Sequence, residues 1–538
     1  MEKKMIIAIG LSLLILFGFQ ALAPKAAKTP LPVTPFEQKS SVRQTEGTGY
    51  VKEKKELSSQ EALRGEEQQE KTSEIKTDKL NLIFSDIGGS LKEIRVSDET
   101  SSGREKELVY LQEDPTKMIF SLKTGFLSGL NDVKYETQRG PGVVEYSYEE
   151  KDWLKIRKKY SAGTQDYSVI AEISIENLSS GKKEMSYTIV GPSSIQQNGN
   201  VSGRNFLEVN TLIDGKIWKL SKAKGEQERK GIAEWTAIKN RYYGLILKPE
   251  VATKAVVVKD EGQKNLLTEL EFGGWALSPG AKTKQEYVFY AGPLNEKTIG
   301  KVSSDMTSVV NYGFFGGVSK VLLVVLRFFY GLTHNWGISI ILLTLTVNLL
   351  LFPLAVKSFV SMHQMKKIQP HIMKLKELHK DNPQKLNKET MELYKKNNVN
   401  PLGGCLPLIL QMPIFIALYQ GLIRSIELKG ASFLWIKDLS KPDGVPLPIT
   451  LPLIGNSINI LPLLMVVMMA LQQKLTQASS AQGMTDEQKG QQKMMMLMMP
   501  VIFGFMFYNM PSGLVLYWLT NTILMTTGQK IISSRLEA

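Results

Sequence analysis

The sequence predicts a polytopic α-helical membrane protein, with six helices crossing the bilayer and a large all-β domain on one side. Six apolar segments punctuate the 538 residues. Between the first and second lie about 210 residues written largely with period-two alternation, the mark of half-buried strands. Lysines concentrate in one connecting loop. The mean hydropathy of −0.11 is that of a soluble protein, but the average conceals how strictly polar and apolar residues are segregated along the chain.

The first apolar run, Met5–Leu22, follows Lys3 and Lys4 and reads as a transmembrane anchor over 1–23. The competing reading is a cleaved signal peptide ending at Ala21–Ala23. Against it, the run exceeds the 7–15 residues of an ordinary apolar signal core, and Pro24 would directly follow the cut. Residues 24–79 are rich in Lys, Glu, Gln, Ser and Thr and poor in aromatics, the composition of a disordered tether. From 80 to 300 the alternation begins. Val169, Ala171, Ile173 and Ile175 alternate with polar residues, "SSGK" turns the chain, and Met185, Tyr187 and Ile189 continue, which predicts a hairpin within an antiparallel β-sandwich. Trp153, Trp218, Trp235 and Trp275 fall here; core packing is favoured over a sugar site. Residues 301–335 are a linker and an amphipathic helix, Phe314–Asn335. Lys320 and Arg327 share one face of it, so it is read as lying in the membrane–water interface, with a seventh span as the alternative.

Five further spans are placed at about 336–354, 406–428, 456–473, 494–509 and 511–528. At ~1.5 Å per residue, 18 or 19 residues cover about 27–29 Å of a ~30 Å hydrocarbon core. Between Lys357 and Asn398 stand ten lysines and four acids, so that loop belongs in the cytoplasm. Alternation then puts both termini, including the short tail 531–538, inside and the β domain outside. Within 357–398, Met365, Ile368, Ile372, Leu375 and Leu378 recur at helical spacing, "DNPQ" breaks the run, and Leu386, Thr390 and Leu393 resume it. The pattern is a helical hairpin with a basic exterior, Pro370 bending its first arm.

Chemistry by side chains finds little footing. One cysteine, Cys405, and four histidines exclude disulfides and give no metal-ligand spacing. There is no G-x-x-x-x-G-K-[ST] nucleotide loop, no catalytic constellation and no cofactor motif. Cys405 sits in "NPLGGC", where Pro401, Gly403 and Gly404 make a hinge between the hairpin and the next span. A net charge of +14 suits anionic partners, phospholipid headgroups or RNA. Polar residues do recur inside the spans: Thr344, Thr346, Asn348, Gln411, Gln420, Thr520, Asn521 and Thr522. Thr344 and Asn348 share a helix face, as do Tyr517 and Asn521. Converging faces would make a wet groove in the membrane; the alternative is ordinary interhelical hydrogen bonding.

"NVNPLGGCLPLILQMPIFIALYQ", "NWGISIILLTLTVNLLLFPL" and "MMPVIFGFMFYNMPSGLVLYWLTN" resemble the YidC/Oxa/Alb family of membrane insertases, and "LSPGAKTKQEYVFYAGP" resembles the end of the periplasmic domain in its Gram-negative members. The resemblance implies an inner-membrane chaperone that inserts and folds nascent membrane proteins, alone or beside the Sec translocon. It implies a periplasmic β-supersandwich, a core of five helices, and substrate sliding past Thr344, Tyr517 and Trp518. The predicted groove is therefore Thr344, Asn348, Gln411, Tyr517, Trp518 and Asn521. Asn348 departs from the family, which usually has arginine there. The short tail lacks the long basic ribosome-binding extension of some members, so ribosome contact is expected to be weak or transient. A small-solute transporter with a periplasmic binding domain is the other class, but it would want internal repeats and paired intramembrane charges.

Overall fold

The computed structural model describes residues 69–97, 106–125, 127–196, 206–223, 225–262, 265–380, 382–397, 399, 406–451, 455–477 and 486–537. The predicted anchor, most of the tether and the hinge Pro401, Gly403 and Gly404 lie outside the described residues.

Between Thr72 and Pro293 the chain forms antiparallel sheets of four, five and nine strands. Val169, Ala171, Ile173 and Ile175 are each no more than 2 % exposed, as their alternation requires. The two larger sheets meet through their inner faces: the Tyr187 and Tyr287 hydroxyls, one from each sheet, lie 2.8 Å apart, and Phe272 meets Tyr287 edge-on at 5.9 Å. Trp235 is fully buried and Trp153, Trp218 and Trp275 pack against the same core, so the tryptophans are structural.

Two local expectations are corrected. A strand, Thr72–Lys76, falls inside the stretch given to the tether; Ile75 is buried while charged neighbours face out, and a five-residue edge strand in so polar a context leaves little compositional trace. The hairpin across "SSGK" does not form. Ser168–Asn177 belongs to the nine-stranded sheet and Lys183–Ser193 to the five-stranded one, so the turn carries the chain from one sheet to the other. Both strands need one buried face, and that need is met equally by pairing or by facing each other. Asn177 fixes the second outcome, its amide donating to Gly181 O (2.8 Å) and to Leu277 O (3.0 Å).

After the sheets come helices α1 (Glu296–Val302), α2 (Gly316–Thr333), α3 (Trp336–Leu378), α4 (Pro383–Lys396), α5 (Leu406–Arg424), α6 (Ile460–Gln477), α7 (Asp486–Tyr508) and α8 (Ser512–Glu537). The second span and the first hairpin arm are one 43-residue helix, α3, which runs unbroken through Pro353 and Pro370 and is ~65 Å long. Asn382 caps α4, with Pro383 in its first turn, and His379 meets Glu389 at 2.9 Å across the hairpin. Expected span limits shift. α5 ends at Arg424 and a 3-10 turn, Ile426–Leu428, follows, so Arg424 stands in the last turn of the helix rather than within a longer span. Residues 455–458 are a strand paired with Val445–Leu451, delaying α6 to Ile460. α8 absorbs the predicted tail, with Arg535 in its last turn where a cation suits the helix dipole.

By length and composition, two described helices could cross a bilayer: α2 and the first 30 residues of α3. Lys320 and Arg327 on α2 are partnered, Lys320 with Glu296 (2.8 Å) and Arg327 with Glu427 (2.8 Å).

The sheets and helices are joined by specific contacts. Arg241, 2 % exposed, donates from Nε to Ile423 O (2.6 Å) and from Nη2 to Ser440 O (2.9 Å), capping the end of α5. Lys429 pairs with Glu107 beside the Tyr242 and Tyr243 rings. Ile426 packs into the sheet domain's own core.

Candidate functional site

Apolar helices with a few polar residues must satisfy those groups inside the bundle, because hydrocarbon offers no partners. α3, α5 and α8 do so around α8. Asn348 on α3, half-buried, donates from Nδ2 to its own helix at Thr344 O (2.8 Å) and across to Asn521 Oδ1 on α8 (2.9 Å). Thr344 has no exposed surface and returns its hydroxyl proton to Ile340 O (2.6 Å). Thr344 and Asn348 share the face their spacing predicts, and Asn521 meets that face from α8.

The second cluster joins α5 to α8. Gln411 Nε2 donates to the Tyr517 hydroxyl (2.6 Å), and Phe415, one turn along α5, meets Trp518 edge-on at 4.8 Å. Phe507 and Phe503 of α7 close on the same indole at 5.3 and 5.7 Å. Tyr517 is fully buried and Trp518 7 % exposed, so in this conformation the aromatic pair anchors α8 against α5 and α7, and reaching it from outside requires those helices to part. Thr346 faces outward and bonds within its own helix.

Sequence reasoning stopped the polar series at Thr522. The buried face of α8 continues it through Thr526 and Gln529, at spacings of four and three from Thr522. The signal was present, since polar residues at i, i+4 and i+7 of an apolar helix share a face. With Ser358 buried on α3, polar side chains run from the Asn348–Asn521 pair toward the hairpin end of both helices. Nothing in the sequence singled out Arg241 or Glu107, whose partners lie far along the chain. Among the described residues no group of His, Cys, Asp and Glu is arranged to hold a metal.

Comparison with known proteins bears on this arrangement. The family model for the 60Kd inner membrane protein matches residues 328–538, and the model for the YidC periplasmic domain matches 72–325. A membrane protein insertase YidC from Geotalea uraniireducens is 31 % identical over 561 aligned positions, covering 100 % of both chains. That of Syntrophobacter fumaroxidans is 35 % identical over 394 positions, covering 71 % of this chain and 69 % of the relative. A crystal structure of an active YidC insertase aligns at 20 % identity and a TM-score of 0.37, covering 86 % of this chain and 92 % of that one. The periplasmic-domain match takes in all three large sheets and runs into α2, the other covers the helices from the end of α2 onward, and the chain belongs to the YidC family of membrane protein insertases.

Proposed function

We propose that the chain inserts nascent membrane proteins into the inner membrane, receiving their hydrophilic segments in a groove built on α3, α5 and α8, with the sheet domain in the periplasm and both termini in the cytoplasm. The observation that carries this reading is the Asn348–Asn521 bond between two apolar helices, continued toward the hairpin by Thr522, Thr526 and Gln529. Isolated interhelical bonding would need one such pair; the threonines that follow it donate to their own helix, Thr522 to Trp518 O (2.9 Å) and Thr526 to Thr522 O (2.6 Å), and keep acceptor lone pairs for water when the helices part. A charged side chain at the centre of a helix costs ~2.5–3.5 kcal/mol to insert, so a tail bearing several faces a large barrier in lipid. A hydrated path open to the cytoplasm shortens the apolar distance, while the client's own apolar span partitions into lipid and drives the reaction. Asn348 offers two donors and an acceptor without charge, so this groove works by hydration more than by attraction. The basic hairpin supports contact with anionic phospholipids and transient ribosome engagement, and the family relationship supports work beside the Sec translocon. No nucleotide or cofactor enters this scheme. The test is reconstitution in vesicles with a radiolabelled single-span client: a protease-protected fragment should appear without added nucleotide, and solute uptake without insertion would sink the reading.

A further inference from the structure

Between α5 and α6 the chain makes a two-residue turn. Phe433 N–H donates to Ile436 O (2.9 Å) and Ile436 N–H to Phe433 O (2.8 Å), leaving Leu434 and Trp435 at the tip. Leu434 has φ of 52°, the left-handed conformation that such turns ordinarily give to Gly because a Cβ there crowds the following carbonyl. Packing does not explain the exception, since Leu434 is 76 % exposed and Trp435 40 % exposed. Glycine would relax the backbone and a polar residue would suit water, yet the chain displays leucine and tryptophan.

The tip is also held at a defined level. The Phe433 ring lies so close to Gly337, in the first turn of α3, that a Cβ on that glycine would fall 2.1 Å from Phe433 Cγ. Trp435 Nε1 donates to Asp443 Oδ2 (3.2 Å), and the same oxygen accepts the Leu461 N–H in the first turn of α6 (2.9 Å). The turn is thereby registered to the starts of two apolar helices. At that end Trp336 stacks on Tyr330 with centroids 4.0 Å apart. Tyr330, Trp336 and Trp435 thus gather at one end of the bundle, the composition of an aromatic belt at a membrane surface.

We propose that Leu434 and Trp435 form a wedge that enters the outer leaflet, with the leucine among acyl chains and the indole at headgroup level. This rests on the placement of the helices in the membrane proposed above. Lipid is the occupant the geometry favours: the tip is convex, whereas a site for a client segment would be concave, and the exposed Lys437 beside it suits headgroup phosphate. The strained turn then has a reason, because it projects Leu434 outward at a depth set by α3 and α6.

The experiment places a nitroxide at Leu434→Cys in a Cys405→Ser background, in vesicles of phosphatidylethanolamine and phosphatidylglycerol, and compares collisions with oxygen and with a water-soluble nickel chelate. Labels at Leu350→Cys, on the exposed side of α3, and at Glu228→Cys, on an exposed strand, give the lipid and water references. The Leu434 label should behave like the Leu350 label, with oxygen favoured severalfold over the chelate. A Leu434 label as open to the chelate as Glu228, with Leu350 protected, overturns the wedge alone; chelate access at Leu350 as well overturns the membrane placement beneath it. Immobilisation of the Leu434 label only when a client is added would reassign the tip to client binding and overturn the lipid proposal. As a measurement without a label, brominated lipid should quench wild-type fluorescence more than that of Trp435→Phe; equal quenching also overturns it.

Discussion

Lys158 is the most heavily buried cation among the described residues of the sheet domain, with no exposed surface, and its ammonium donates to Gly88 O (2.7 Å) and Phe120 O (2.9 Å). Burial alone brings its pKa down from 10.5 to about 7. The unfolded chain keeps its proton to about 10.4, so between pH 7 and that value the unfolded state binds more protons and stability rises with pH; below 7 both states are protonated and this dependence vanishes. The intact protein in detergent should therefore gain resistance to urea from pH 7 to 9, and Lys158→Met should flatten that slope, most of all between pH 7 and 8, above which Lys239, brought down to about 8 by burial, adds to it. An unchanged slope would assign it to other groups. Asn348 gives a second prediction at this scale. Asn348→Leu removes the bond to Asn521, worth about 0.6 and at most ~1.7 kcal/mol in lipid, and should slow insertion severalfold. Asn348→Arg should be tolerated and favour clients with acidic tails. Insertion of one client with neutral and acidic tails by all three proteins decides it; if Asn348→Leu equals wild type on both, the position is not the groove's centre. Asn348 and Asn521 were legible because each is a polar residue in an apolar run. Gln411 and Tyr517 were both named for the groove, but their bond to each other was not foreseen, since a tyrosine in a span reads equally as belt, core or surface.

Among the elements, the helices were easiest to read and their ends hardest. Apolar runs mark where lipid is affordable, but a helix continues until something stops it. α8 passes Gly528 and reaches Glu537 because no proline intervenes, and α3 carries a lipid segment and a basic arm on one backbone. In the hairpin, Leu386, Thr390 and Leu393 do turn toward α3, whereas Leu378, expected on the apolar face, is 73 % exposed at the tip. Because α4 packs chiefly on α3, deleting Lys366–Lys395 should leave the protein folded yet abolish insertion. Normal insertion by a stably expressed deletion would show the hairpin to be dispensable. Cutting into α2 should fail differently. Its Leu322, Leu323 and Leu326 belong to the helical core, so its loss should lower the thermal midpoint as well as insertion.

At the scale of the whole molecule, the division into sheets and helices was legible from periodicity and charge, while the pairing of strands was not. Period two says which face is buried and is silent on the neighbour, which is why Ser168–Asn177 and Lys183–Ser193 were expected side by side and stand in different sheets. The junction was hidden for the same reason. Removing about 30–270 should leave insertion largely intact, since the polar series lies wholly in the helices, but it takes away Arg241 and bares Ile426 and Lys429. Hydrogen bonds to charged groups are worth about 1.5–3 kcal/mol each, so Arg241→Ala should lower the thermal midpoint by several degrees with insertion kept. Equal loss of insertion from this substitution and from the large deletion would make the sheet domain a direct participant.

The unbroken α3 has a mechanical consequence. Thirty residues separate Asn348 from Leu378, so the hairpin end lies ~45 Å from the polar pair along one rod. Pro353 has no N–H for the carbonyl of Leu349, which softens the rod just beyond the Asn348–Asn521 bond, as Pro370 softens it again within the hairpin arm. The hairpin is thus a lever with its pivot beside the groove. A tilt of about 5° at that pivot moves the far end of the arm, ~38 Å away, by only ~3 Å while the pair itself stays closed.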